Sequence, residues 1–125
     1  MLSKLSAHIP VIPKTHNKTL ITLILNNNMT LIEHTYQTLK QARLITTREA
    51  FSRDYVGMSR NWFAWQRHMK RDFSIQAAIK CLRSIRAQQQ RNPALTMMQL
   101  NALIQAEQEL LQHLNEQHSV ADVCS

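Results

Sequence analysis

The chain of 125 residues is poor in the residues that interrupt helices, with one glycine, Gly57, and three prolines. A fold rich in β-turns needs more of both, so their scarcity favours helices joined by short connections. After Met29 the apolar residues recur three and four positions apart, and no stretch alternates apolar with polar residues. We therefore expect an all-α protein, a compact helical bundle of about five helices.

Cysteines and long apolar runs are also scarce. Cys81 and Cys124 do not form the spacing of a disulfide framework, which favours a reducing, cytoplasmic location. The apolar run Leu20–Leu25 is far shorter than the roughly 20 residues that cross a bilayer, and the N-terminus lacks the features of a secretory signal. We expect a protein without membrane contact.

The patterns typical of enzymes and metal sites are missing as well. The six histidines are scattered, and none joins the cysteines at the spacing of zinc ligands. Paired carboxylates, a glycine-rich phosphate loop and a nucleophile elbow are all absent. The sequence therefore predicts no catalytic residues, metal ligands, cofactor or small-molecule substrate.

What the chain does have is positive charge, and it is unevenly placed. Between Lys40 and Arg91 there are twelve lysines and arginines against three acidic residues. From Asn92 to Ser125 there are four acidic residues and no lysine or arginine. This distribution indicates that a polyanion would bind to the middle of the chain. A solvated basic surface is the alternative, and charge alone does not choose between them.

Cap and stop signals divide the chain into three parts. We interpret residues 1–28 as an N-terminal extension, largely disordered, and either part of the native product or an upstream extension of the reading frame. Residues 29–91 form a domain with helices predicted over about 31–43, 47–55, 60–70 and 75–90. Residues 96–118 form a C-terminal helix, predicted over about 97–117, that serves packing or dimerisation.

Two of the predicted helices flank the single glycine. Thr46 and Glu49 have the spacing of a capping box, which predicts the start of one helix. Gly57 can form the turn because glycine adopts positive φ at little cost. Ser59 is then expected to cap the next helix.

This arrangement resembles the Cro/phage-repressor type of helix-turn-helix, and short uncharacterised bacterial proteins of the same pattern, over about Thr30–Arg91. It departs from that pattern in two places. The small residue Ser52 lies five positions before Gly57 rather than four, and Gln66 stands where an apolar residue is usual. The resemblance implies a sequence-specific DNA-binding protein, a small transcriptional regulator whose helix 59–70 reads the major groove of double-stranded DNA.

The resemblance also implies roles for single residues. Arg60 and Asn61 would read bases, because arginine pairs with guanine and asparagine with adenine. Phosphate contacts would come from Arg48, Arg67, Lys70 and Arg71.

Each of these features has a plainer interpretation. Gly57 can be a simple helix C-cap, and Arg60 and Asn61 can be solvated residues of a first turn. Trp62 and Trp65 are expected in the core rather than stacked on bases, because aromatic residues contribute large buried areas.

The C-terminal helix carries a wide apolar stripe. Its predicted oligomerisation residues, which would form a homodimer, are Leu100, Ile104, Leu111 and Leu114. The alternative function is a helical protein–protein interaction module, antitoxin-like or a phage-assembly adaptor, without direct nucleic-acid readout. Salt dependence separates the two functions, since only binding to phosphates weakens steeply with salt.

Overall fold

A computed structural model describes residues 29–117, which form an all-helical bundle without a strand in that range. This confirms the expected all-α fold of about five helices. The predicted extension, residues 1–28, lies outside the described residues. A π-helical segment, Phe51–Val56, continues directly from the second helix, which ends at Ala50. The five helices are α1 (Leu31–Gln41), α2 (Arg48–Ala50), α3 (Trp62–His68), α4 (Ile75–Arg91) and α5 (Met97–Gln117).

Three buried aromatic rings hold the first half of the domain together. Tyr36 comes from α1, Phe51 from the π-helical segment and Phe63 from α3. Their ring centroids lie 5.3–6.0 Å apart, and each pair meets edge to face. This geometry is favourable because the positive edge of one ring faces the negative face of the next. The cluster therefore fixes α3 against α1.

The longest helix, α5, packs against both α4 and α1. Leu103, Ala106 and Leu110 are its fully buried apolar residues. They share the core with an apolar stripe on α4, which includes the fully buried Cys81 and Ile85. Burial raises the pKa of the Cys81 thiol, so this cysteine is an inert core residue.

Local caps begin four of the five helices. The hydroxyl oxygens of Thr30 and Ser74 each accept a hydrogen bond from a backbone N–H three residues later. Thr96 and Gln99 form a reciprocal capping box at the start of α5, with both hydrogen bonds 3.1 Å long. The capping box predicted at Thr46 is wrong, because it is Thr47 that accepts from the N–H of Ala50 and caps α2.

A distant carboxylate completes the start of α1. Oδ2 of Asp72 accepts a 2.8 Å hydrogen bond from the N–H of Leu31, and Oδ1 accepts a 3.0 Å bond from the N–H of Ile32. Oδ1 also accepts from the N–H of Phe73. These first N–H groups have no partner within the helix, and a negative charge is favourable beside them. Asp72 thereby ties the connection between α3 and α4 to the first turn of α1.

A polar pair joins α1 to α5. Nε2 of His34 lies 3.1 Å from Oε1 and 3.2 Å from Oε2 of Glu109, whose side chain is fully buried. The hydrogen bond goes to Oε2, which also accepts one from the side-chain amide of Gln105. Oε1 accepts no hydrogen bond from the described residues. Among the described residues, His34 is therefore the ionisable side chain closest to the Glu109 carboxyl group.

Candidate nucleic-acid interface

The π-helical segment explains the unusual spacing before Gly57. The N–H groups of Gly57 and Met58 both donate to the carbonyl of Ser52, the second with a length of 2.9 Å. Gly57 itself has φ 72°, the left-handed conformation that glycine adopts without strain. A π-helix bonds each N–H five residues back rather than four. The segment therefore accommodates the extra residue that the sequence showed between Ser52 and Gly57.

Ser52 also positions α3. Its buried Oγ donates to the carbonyl of Arg48 at 3.0 Å and accepts a 3.1 Å hydrogen bond from the N–H of Phe63. The cap predicted at Ser59 is wrong, because α3 begins at Trp62 with Asn61 as an N-cap whose side chain makes no capping bond. The hydroxyl of Ser52, eleven residues before Phe63, accepts the hydrogen bond from the first turn of α3 instead.

The helix predicted over 59–70 is consequently shorter, and the proposed base-reading residues precede it. Arg60 lies in the turn ahead of α3, and Asn61 is the N-cap. Both residues are exposed at the leading end of the helix. They do not line the groove that holds the predicted phosphate-binding residues.

That groove, which we call the basic groove, runs between the end of α3, the start of α1 and Arg48. It is open to solvent and has a volume of about 880 Å³. All four residues predicted to bind phosphate line it, and the one acidic residue in its lining is Glu33. Besides Arg48, Arg67, Lys70, Arg71 and Glu33, its lining includes Met29, Thr30, Ile32, Gln37, Phe63 and Gln66.

Arg48 lines the basic groove, and two aromatic rings and Glu33 hold its side chain in position. Its guanidinium lies 4.9 Å from the ring centroid of Tyr36 and 5.2 Å from that of Phe63. Nη2 is 3.4 Å from Oε2 of Glu33, while the buried Nε has no hydrogen-bond partner among the described residues. With 41% of its side chain exposed, Arg48 combines packing on two aromatic rings with access to solvent.

The other three cations are exposed and form no ion pair within residues 29–117. Two of them follow the end of α3, where Lys70 has φ 55° and the chain reverses. The N–H groups of Lys70 and Arg71 donate to the carbonyls of Arg67 and Gln66, at 3.1 Å and 2.9 Å. This pair of bonds is a Schellman motif, and after it Arg71 lines the same groove as Arg67.

The two tryptophans of α3 differ in their surroundings. Trp62 packs against the core, with its ring centroid 5.9 Å from that of Phe73. Trp65 is 55% exposed, so the expectation that it belongs to the core is wrong. On a helix that buries Phe63, a residue two positions later points about 200° away from the core. That angular offset was a sequence signal for the exposure of Trp65.

The predicted oligomerisation residues of α5 divide into two groups. Leu100 and Leu114 are half-buried, and Leu114 packs against the core. Ile104 and Leu111 are 38% and 36% exposed and lie seven residues apart on one side of the helix. Met97 and Met98, at the start of α5, are more exposed still.

Arg86, on α4, differs from Arg67, Lys70 and Arg71 because it is paired with a carboxylate. Its Nε donates to Oε2 of Glu107 at 2.9 Å, and this hydrogen bond lowers the pKa of the Glu107 carboxyl. Gln89 donates to the other carboxylate oxygen. One of the four cations of α4 is thus already paired with a carboxylate of α5.

Within residues 29–117 no three histidine, cysteine, aspartate or glutamate residues lie close enough together to hold a metal ion. A helix both long and apolar enough to cross a membrane is likewise not found in the described part of the chain.

Comparisons with known proteins place the chain in one family. Neither the curated proteins nor the solved structures gave a match. A family model with the description "Family of unknown function (DUF6626)" matches residues 32–124, which is most of the chain and takes in the five helices apart from Leu31. The protein therefore belongs to this family of unknown function.

Proposed function

We propose that the protein is a small, cytoplasmic, sequence-specific DNA-binding protein that regulates transcription and is not an enzyme. The observation that carries the proposal is the gathering of Arg48, Arg67, Lys70 and Arg71 in one groove beside α3. Arginine suits this purpose because its planar guanidinium can pair with a phosphate through two hydrogen bonds. Three of the four cations have no carboxylate partner in the described structure, so phosphates would not have to displace one.

The leading end of α3 supplies the second part of the proposal. Arg60 and Asn61 are exposed there, ahead of the first turn, in the region that a helix-turn-helix directs toward base edges. The major groove is wide enough to admit a helix. In this arrangement the basic groove fixes the orientation of the protein, and the start of α3 reads the sequence.

Replacing single cations tests this division of roles. We expect Arg67→Ala to weaken binding about equally for all duplexes and to reduce the salt slope of the affinity by about one. Arg60→Ala should instead relax the preference for the target sequence, with a loss of about 1–3 kcal/mol on that target. The measurement is a mobility-shift titration at several salt concentrations, using duplexes enriched from a random pool.

Arg83→Ala is the matched control, since Arg83 is an exposed arginine of α4 outside the basic groove. Equal affinities and salt slopes for Arg67→Ala, Arg83→Ala and the unaltered protein would exclude the basic groove as the DNA contact. With four phosphate contacts, the unaltered protein should lose about 10²-fold in affinity between 50 and 200 mM salt.

The exposed Ile104 and Leu111 of α5 support a homodimer, the form in which repressors commonly bind palindromic sites. The same residues favour the second candidate function, a helical protein–protein interaction module, which needs an apolar docking face but no basic groove. Ile104 and Leu111 are the residues that a second copy would cover.

Two lysines in the α5 face should separate the protomers. We expect Ile104→Lys combined with Leu111→Lys to convert a dimer to a monomer, because apposed like charges replace apolar contact. Light scattering coupled to size-exclusion chromatography gives the mass. Gln76→Lys with Gln90→Lys adds the same charge to exposed positions of α4 and should leave the dimer intact. If the unaltered protein is a monomer, the homodimer is excluded, and the α5 face is left to a different partner.

A further inference from the structure

The outward face of α3 carries an aromatic pair that the proposed base-reading and phosphate-binding roles do not use. Trp65 is 55% exposed, and its ring centroid lies 5.8 Å from that of His68 with 33° between the ring planes. Asn61, Ala64 and His68 are also exposed, and their spacing places them on the same side of α3 as Trp65. The large apolar ring of Trp65 therefore lies at the centre of an exposed side of α3 that begins with Asn61.

The surroundings of Trp65 favour a nucleic-acid partner. Arg67 follows two residues later and lines the basic groove together with Lys70 and Arg71, so α3 carries both the exposed ring and part of a strongly positive surface. The small side chain of Ala64 leaves the space beside the ring open. An exposed indole gains most from a contact that covers its apolar surface, which is why tryptophan is frequent at the centres of interfaces.

The bases offer one apolar group in the major groove of a duplex, the 5-methyl group of thymine. The indole ring has a single hydrogen-bond donor and no acceptor, so it is poorly suited to read the donor and acceptor pattern of the other bases. We infer that Trp65 is a specificity-determining residue that covers a thymine methyl group when α3 enters the major groove. The inference rests on the proposed duplex binding.

The test removes only the methyl group. A duplex enriched from a random pool is prepared with each thymine replaced in turn by uracil, and binding is measured by fluorescence anisotropy at fixed salt. We expect one replacement to weaken binding by the unaltered protein about fourfold, the value of one buried methyl group. Trp65→Ala should bind the original duplex more weakly and no longer distinguish thymine from uracil at that position.

Met98→Ala is the control for removal of an exposed apolar side chain, because Met98 lies on α5, away from α3. This variant should retain the preference for thymine. Since Trp65 is largely solvent-exposed, Trp65→Ala should also unfold at nearly the same temperature as the unaltered protein.

The possible failures are distinguishable. Tight duplex binding with no position at which uracil weakens it would overturn the role of Trp65 and leave the proposed function standing. Tighter binding to the separated strands than to the duplex would also overturn it, since an exposed indole on a basic protein could then act by stacking on unpaired bases. If no duplex is enriched or bound, both the inference and the proposed function are wrong.

Discussion

Replacing His34 with alanine is expected to lower the free energy of unfolding by about 3 kcal/mol, the upper end of the range for leaving a buried polar group without its partner. The side chain of Glu109 is fully buried, and His34 is its partner from α1, at 3.1–3.2 Å. Without the imidazole, the carboxyl group would retain only the 3.3 Å hydrogen bond from Gln105. Loss of a partner is costly because the remaining polar group stays buried without compensation. Urea unfolding monitored by circular dichroism measures the effect.

The double variant His34→Leu with Glu109→Leu supplies the matched comparison. Replacing both members of a buried polar pair with apolar residues is often neutral or stabilising, since no desolvated group remains. We therefore expect the double variant to be more stable than His34→Ala alone, although it differs from the natural sequence at one more position. If His34→Ala unfolds at the same urea concentration as the unaltered protein, the pair does not hold α1 against α5.

The second large effect is expected at Asp72. Asp72→Ala should destabilise the fold by about 2–3 kcal/mol, because two N–H groups at the start of α1 lose a charged acceptor. The favourable interaction of the carboxylate with the helix dipole is lost at the same time. The same residue also accepts from the N–H of Phe73, so the connection between α3 and α4 should loosen too. Thermal unfolding at neutral pH and low salt measures the change.

Asp54→Ala is the control, since Asp54 is an exposed carboxylate of the π-helical segment. Its removal changes the net charge by the same amount and should alter stability by no more than about 0.5 kcal/mol. Equal unfolding temperatures for the two variants would contradict the capping role of Asp72. Asp72→Asn should fall between them, because an amide oxygen can still accept but the amide nitrogen cannot face the N–H of Leu31.

The sequence predicted α4 and α5 to within about one residue because their limits are set locally. Ser74 caps α4, Asn92 and Pro93 follow its last residue and stop it, and Thr96 and Gln99 cap α5. Each of these signals acts over three or four residues, which is the distance that a pattern in the sequence can convey.

The limits of α3 were predicted less well because they depend on distant contacts. The hydroxyl of Ser52 replaces the expected cap at Ser59, and the left-handed conformation of Lys70 ends the helix early. Propensity does not reveal which of several serines will reach an N–H eleven residues away. The hydrogen bonds that Asp72 accepts from the start of α1 span about 40 residues and were not expected at all.

The candidate site was predicted in part, and the reason is again distance along the chain. Charge counting placed the cations in the middle of the sequence, but it could not show that Arg48 meets Arg67 and Arg71 in one groove. Packing of Tyr36 against Phe63 brings those segments together. Trp65 was misplaced because aromatic residues are usually buried, whereas α3 is a helix of two turns that buries only the side carrying Phe63.

The π-helical segment has a consequence for the rotational phase of the chain. One extra residue in a helical turn rotates everything before it by about 100° relative to everything after it. Tyr55 and Val56 anchor the later end in the core, while Arg48 at the earlier end lies over two aromatic rings. Deleting one exposed residue of the segment would restore ordinary helical phase and swing the guanidinium of Arg48 off those rings. The π-helical segment therefore determines the direction in which the side chain of Arg48 points.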